Sequence, residues 1–199
     1  MQSLQKVLGV DNMEKRKVIL VTDGDPVARS AVELATSNVG GRCISASAGN
    51  PTVLSGEEII NLIKTAPHDP VVVMVDDRGT KGKGEGELAM ETIINDNSVD
   101  VIGVVAVSSN GKDCKGIPIT CSITKDGEII ETGVDKYGND IHDAKVCGDT
   151  LSILKDMKDL VIVGIGDPGK MVSNDEIVKG SPITTLALKE ILKRRGMLQ

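Results

Sequence analysis

Four stretches of the chain consist almost wholly of Val, Ile and Leu, and each runs into a cluster of small polar or acidic residues. They are 17–22, 71–75, 101–107 and 160–163, and the only glycine inside them is Gly103. Strands covered on both faces read as continuous apolar runs, whereas strands with one wet face alternate. Segments of helical periodicity lie between them. Val27, Ala31, Leu34 and Ala35 recur at that spacing after Asp25-Pro26, where an Asp caps and a Pro suits the first turn. Gly40-Gly41 stops that helix. Ser55-Gly56-Glu57-Glu58 is a capping box, followed by Ile59, Leu62, Ile63 and Ala66 on one face. Leu88, Ala89, Thr92 and Ile93 mark a third helix. Asp149 or Thr150 caps a segment carrying Leu151 and Leu154. Ser181-Pro182 opens the last helix, with Ile183, Ala187 and Ile191 in line and Lys193-Arg194-Arg195 at its end.

Alternating strands and helices predict a single-domain, three-layer α/β sandwich built on a five-stranded, mainly parallel sheet. Residues 42–47 form the one polar strand, which places them at an edge. That fits a flavodoxin-like order, 2-1-3-4-5, better than the Rossmann order, in which strand two is internal. Residues 110–148 interrupt the alternation as a long excursion, with a β-hairpin of 117–124 and 128–132 inserted across Lys125-Asp126-Gly127. Residues 1–12 read as a flexible tail ahead of a domain spanning 13–199.

Composition narrows the function. There is no Phe, no Trp and a single Tyr, Tyr137, so the core must be aliphatic; 23 Val, 20 Ile and 14 Leu supply it. Stacking platforms for single-stranded nucleic acid and aromatic cages for cations are excluded on that count. A net charge of −6 argues against nucleic-acid binding, which calls for a basic face. The longest apolar run, 101–107, is far short of the roughly 20 residues that a membrane-spanning helix needs. The first residues lack the charged and apolar pattern of a secretory signal. Cys43, Cys114, Cys121 and Cys147 form no CxxC pair, and they are expected to be reduced thiols of a cytoplasmic protein.

In open α/β sheets, ligands bind outside the carboxyl ends of the strands. Those ends carry Asp23 and Asp25, Ser45 and Ser47, Asp76 and Asp77, Ser108 and Ser109, and Asp167. Clustered carboxylates repel one another and accept a divalent cation such as Mg²⁺ or Ca²⁺. Asp23, Asp25, Asp76, Asp77 and Asp167 are therefore candidate metal ligands, the alternative being that each caps the helix after it.

The last strand ends in Gly164-Ile165-Gly166-Asp167-Pro168-Gly169-Lys170, which matches both G-x-G-x-x-G and the start of a P-loop. Met171 stands where a P-loop has its Mg²⁺-binding hydroxyl, and no later strand can offer a ribose-binding acid. Gly164, Gly166, Gly169 and Lys170 remain a candidate anion-binding nest, against a plain tight turn. Residues 79–86 are a second glycine-rich segment, read as a lid or a mobile loop. His68 and His142 belong to no Ser-His-Asp or Cys-His set, so nucleophilic catalysis is not supported.

Several ordered blocks carry a resemblance. They include Val18-Ile19-Leu20-Val21-Thr22-Asp23-Gly24-Asp25, Gly49-Asn50-Pro51-Thr52-Val53-Leu54, Gly133-Val134-Asp135-Lys136, Gly148-Asp149-Thr150 and Gly180-Ser181-Pro182-Ile183-Thr184. From about Lys17 to about Arg195 the chain resembles the soluble AE-type stage V sporulation proteins (SpoVAE, the AEa kind) of endospore-forming bacteria. Asp167-Pro168 departs from the Asp-Ile expected there. The resemblance implies a non-catalytic subunit of the SpoVA assembly, which moves dipicolinic acid with calcium into the developing spore and releases it in germination. Its partners would be other SpoVA proteins, membrane and soluble. Its place would be cytoplasmic or forespore, peripheral to the spore inner membrane. The resemblance carries over no catalytic residue and no cofactor. The residues leave two alternatives, a sensor of a divalent cation or small anion and an Mg²⁺-dependent phosphohydrolase.

Overall fold

A computed structural model of the chain describes residues 14–79, 83–109, 116–148, 150–157, 159–171 and 173–198. In chain order they form β1 (Arg16–Val21), α1 (Pro26–Asn38), β2 (Arg42–Cys43), α2 (Gly56–Thr65), β3 (Val71–Met74), α3 (Glu85–Asn95) and β4 (Val99–Val107). Then come β5 (Ile117–Pro118), β6 (Cys121–Ile123), β7 (Ile129–Ile130), β8 (Lys145–Val146), β9 (Val161–Ile165) and α4 (Pro182–Arg194). The expected tail 1–12, residues 110–115 of the excursion, Asp149 and Cys114 lie outside the described residues.

The helices start where their local chemistry dictates. Asp25 Oδ1 accepts from the Val27 and Ala28 amides at 2.8 Å, with Pro26 opening α1. Ser55 and Glu58 close the reciprocal capping box of α2. The start of α4 differs from expectation. Ser181 sits at φ 46° and makes no capping bond. Asp175 caps the helix from outside, taking the Ile183 and Thr184 amides at 2.7 and 3.0 Å. The segment after residue 149 is a single 3₁₀ turn, Ser152–Asp156, whose Leu151 and Leu154 are buried. Its first amide, on Ser152, is taken by the buried carboxylate of Glu87 at 2.8 Å.

The sheet has layers on both faces, as the apolar runs require. Along β1, Val18 and Leu20 face α2, α3 and the 3₁₀ turn; Ile19 and Val21 face α1 and α4. Gly103 marks a bulge in β4: Val18 pairs with Val101 and Ile19 with Gly103, leaving Ile102 extra. A Cβ at Gly103 would lie 2.5 Å from Ile191 Cγ2, so α4 packs directly onto that backbone.

The sheet order is β2-β3-β1-β4-β9-β6-β7. Counted over the five expected strands this is 2-3-1-4-5, a correction to the flavodoxin-like 2-1-3-4-5. The edge position of β2 agrees with its polarity. Polarity does not name its neighbour, because β1 and β3 are equally apolar on both faces. β2 is also shorter than expected: a 3₁₀ turn at Ser45–Ser47 ends it, and Ser47 Oγ accepts from the Met74 amide at 2.9 Å in place of a strand carbonyl.

The excursion does more than protrude. The hairpin forms at its expected turn, with Ser122 opposite Ile130, Ile123 opposite Ile129, and Gly127 at φ 83°. Yet β6 also pairs in parallel with β9 and extends the main sheet to seven strands among the described residues. Ile117 and Val146 pair as a separate β5–β8 ladder and bury against the α3 face.

Candidate functional site

The chain leaves β1 for one face of the sheet and leaves β3 and β4 for the other, so the loops diverge around the end of β1. Crevices at such switch points are where open α/β sheets hold ligands. Here the crevice is a cleft of about 210 Å³. Thr22, Asp23 and Asp25 line it from β1, Asp76 from β3, Val107, Ser108 and Ser109 from β4, and Asp167 and Lys170 from β9. Asn50 and Thr150 complete the wall.

The cleft is fixed by side chains that stand in for strand backbone. Thr22 Oγ1 accepts from the Val107 amide at 3.0 Å, tying the ends of β1 and β4. Thr52 brackets Asp76: its hydroxyl accepts from the Asp76 amide at 2.8 Å, and its own amide donates to the Asp76 carbonyl at 2.9 Å. Ser108 Oγ donates to the Val134 carbonyl at 2.7 Å, and the Asp167 amide donates to the Lys136 carbonyl at 2.9 Å. The excursion is thereby bonded to two strand ends at the cleft. Gly24 and Gly49 meet across the rim, where a Cβ on Gly24 would lie 2.4 Å from the Gly49 carbonyl oxygen.

Four of the five candidate metal-binding aspartates reach this cleft. Asp23 is 9 % exposed, and burial, reinforced by the charge on Asp25, pushes its carboxyl up to about 7. Its Oδ1 accepts a 3.2 Å bond from the Asp25 amide. Asp76 accepts from the Gly24 amide at 3.3 Å and the Arg78 amide at 2.8 Å. Asp77, the fifth, turns to the opposite face, as neighbouring residues of extended chain must. It accepts from the Gly86 and Glu87 amides at 2.6 and 3.1 Å at the start of α3, and burial raises its pKa. Among the described residues, no three His, Cys, Asp or Glu side chains converge closely enough to hold a metal ion.

The glycine loop after β9 has an occupant of its own. Asp167 Oδ1 accepts from the Gly169 amide at 2.8 Å, and Asp167 Oδ2 pairs with Lys170 Nζ at 2.6 Å. Gly164 lies within β9 against Ser122, and Gly166 packs on Met171 and the Gly138 amide. The Gly169 amide and the lysine that would meet a phosphate thus meet the chain's own carboxylate. The same holds for the other glycine-rich segment. Thr80, Lys81 and Gly82 lie outside the described residues. Gly84 gives Asp77 the room to cap α3, since a Cβ on Gly84 would lie 2.4 Å from Asp77 Oδ1, and a Cβ on Gly86 would lie 2.7 Å from the Asp76 backbone.

The histidines sit elsewhere. His68 meets the Gly41 carbonyl near the start of β3, and His142 pairs with Asp140 in the excursion. Cys43 is half-buried, and burial pushes its thiol up to about 11. Sequence reasoning missed Thr22, Asn50 and Thr52 as parts of the site. Thr22 is the polar residue that closes the first apolar run, and that position was the available signal.

The chain matches the family model for SpoVAE, described as stage V sporulation protein AE1, over residues 17–195. Comparison with curated proteins and with solved structures finds no match. The matched span takes in every strand of the sheet except the first residue of β1, all four helices and every residue of the cleft. The chain belongs to the SpoVAE, or stage V sporulation protein AE1, family.

Proposed function

We propose that the chain is a soluble, non-catalytic subunit of the SpoVA assembly, which carries dipicolinic acid with calcium into the developing spore and releases it in germination. The observation that carries this reading is family membership across residues 17–195. Other SpoVA proteins, membrane and soluble, are its partners. It works from the cytoplasmic or forespore side, peripheral to the spore inner membrane. Among the described residues, no helix is long and apolar enough to cross a membrane, which suits a peripheral place.

The chemistry of the cleft favours a binding subunit over the other readings. Among the described residues, Asp23, Asp25, Asp76 and Asp167 line the cleft with one lysine, Lys170, which is already paired with Asp167. A free dicarboxylate such as dipicolinate would be repelled. An anion sensor is disfavoured for the same reason. Among the described residues, the carboxylate spacing offers no group of three that an Mg²⁺-dependent phosphohydrolase would use.

The excursion is the proposed partner face. It exposes Ile129, Tyr137 and Ile141, at 47, 45 and 42 %. Deleting its hairpin would remove two strands of the main sheet, so surface substitutions are the informative change. Ile129→Lys combined with Tyr137→Ala and Ile141→Ser is expected to abolish capture of other SpoVA proteins after cross-linking in sporulating cells, with thermal stability unchanged. Capture at the wild-type level by that folded variant would refute the assignment of this face.

A further inference from the structure

We propose that the edge where the parallel strands begin, together with the end of α4, docks on an anionic lipid surface. The chain carries a net charge of −6, yet cations collect at this edge. On α4, Lys189 and Lys193 stand four residues apart on the exposed face. Arg195 gives its Nε to the Ile102 carbonyl at 2.7 Å and its Nη2 to the Asp159 carbonyl at 2.8 Å, so α4 ends against the starts of β4 and β9. Lys15 precedes β1 and Lys64 closes α2. Both lie near Asp96, whose pKa is lowered first by hydrogen bonds from Ser98 and then by these two lysines. Arg42 opens β2. Among the described residues none of these six cations makes an ion pair. The carboxylates nearby are engaged: Asp69 with Arg16 at 2.7 Å, Asp100 with Lys17 at 2.8 Å, Glu190 with Arg194 at 2.7 Å, and Asp96 with the Ser98 amide at 2.7 Å. Glu14 and Asp159 are the acids left to oppose six unpaired cations.

The same edge carries apolar side chains in a fixed place. Gly196, at φ 69°, donates its amide to the Lys193 carbonyl at 3.0 Å, and the Met197 amide donates to the Leu192 carbonyl at 2.8 Å. That pair of bonds closes α4 and sets Met197 and Leu198 directly beyond Lys193-Arg194-Arg195. The two are 41 and 38 % exposed. A nucleic acid or an acidic protein would use the cations and leave Met197 and Leu198 wet. An anionic bilayer uses both, with lysines at headgroup level and apolar side chains reaching about 5–10 Å into the boundary with the acyl chains.

Orientation removes the objection that an acidic chain is repelled by an anionic surface. β1 carries the chain from Arg16 at this edge toward Asp23 at the cleft, seven steps of about 3.3 Å or about 23 Å in all. The Debye length at physiological ionic strength is about 8 Å. With the basic edge down, the carboxylates of the cleft lie roughly three Debye lengths from the lipid and are largely screened from it. The excursion is bonded to the strand ends at the cleft through Ser108 and Asp167, so this orientation leaves that part of it free for a protein partner. The inference deepens the proposed peripheral place at a membrane and rests on that reading.

The test is co-sedimentation of the full chain with vesicles of phosphatidylglycerol mixed with phosphatidylcholine, and with vesicles of phosphatidylcholine alone. Binding is expected to the anionic vesicles only, and to fall steeply between about 0.1 M and about 0.5 M NaCl. Lys189→Gln combined with Lys193→Gln should weaken it about 20–30-fold, about fivefold for each lysine. Met197→Ser combined with Leu198→Ser should weaken it about tenfold and leave its salt dependence in place. Lys136→Gln combined with Lys145→Gln makes the same change in net charge on the excursion and should have no effect. Thermal unfolding of each variant checks that it is folded. No binding to anionic vesicles overturns the inference, and so does equal binding to both kinds of vesicle. An equal loss from the two lysine pairs overturns it in favour of a response to net charge alone. Tighter binding of polyglutamate than of vesicles overturns it in favour of an acidic protein partner. The vesicles contain no protein, so failure here leaves partner capture through the excursion untouched. Loss of capture in turn leaves vesicle binding untouched.

Discussion

At pH 5.5 the folded chain holds a proton on Asp23 that the unfolded chain has already released. The folded value, about 7, lies above the ordinary 3.8, because burial disfavours the charged form and Asp25 adds repulsion. The stability contributed by this proton is fully present below pH 3.8 and is lost as pH rises through 7. The gap between the two values corresponds to about 4 kcal/mol, at roughly 1.4 kcal/mol for each tenfold. Between pH 5.5 and pH 8.5 only the part of that gap from pH 5.5 to about 7 is sampled, about 2 kcal/mol, and water reaching the cleft lowers it, so about 1–2 kcal/mol is the expected loss. Asp77 and Asp175 are also raised by burial and act in the same direction. Glu33, Glu58, Asp96 and Asp140 are lowered, so their contributions vanish only on acidification below the ordinary carboxylate range. Asp23→Asn keeps the shape and cannot ionise. Urea unfolding at pH 5.5, 7 and 8.5 should show the wild type weakening with pH and the variant much flatter and more stable at pH 8.5. Equal slopes for the two proteins would refute the claim that the cleft holds Asp23 in a buried, mutually repelling group.

Other substitutions probe the frame around the cleft. Gly103→Ala would place a methyl 2.5 Å from Ile191 Cγ2 and 3.0 Å from the Val161 carbonyl oxygen, and should cost about 1–3 kcal/mol in chemical unfolding. Asp175→Ala removes the acceptor of two α4 amides and should cost about 1–3 kcal/mol. Ser181→Gly should stabilise by about 0.4–1 kcal/mol in the same assay, because Ser181 sits at φ 46° and its buried Oγ has no partner. A larger cost for Ser181→Gly than for Asp175→Ala would show that Ser181, not Asp175, is the working cap.

Local signals in the sequence located most elements, and pairing between distant segments decided what those signals left open. The runs around Val18, Val71, Val104 and Ile162 mark doubly covered strands whatever their neighbours, so the layers were legible. The order was not, since β1 and β3 present the same aliphatic surface to either side and only long-range register distinguishes them. One clue pointed past the five-strand reading. Val161–Ile165 is apolar on both faces, which an outermost strand would not need, and the partner covering its edge is Cys121–Ile123 from the excursion. The site divides in the same way. Asp23, Asp76 and Asp167 were placed at one edge by their positions after strands. That Asp77 turns away follows from a one-residue step in extended chain, and could have been read beforehand. That Asp167 fills the glycine loop it belongs to depends on three-dimensional closeness of Gly169 and Lys170 to one carboxylate. A phosphate-loop motif and a loop closed on its own aspartate are written with the same glycines and lysine. What separates them is whether an acceptor already sits on the amides, and here Asp167 does.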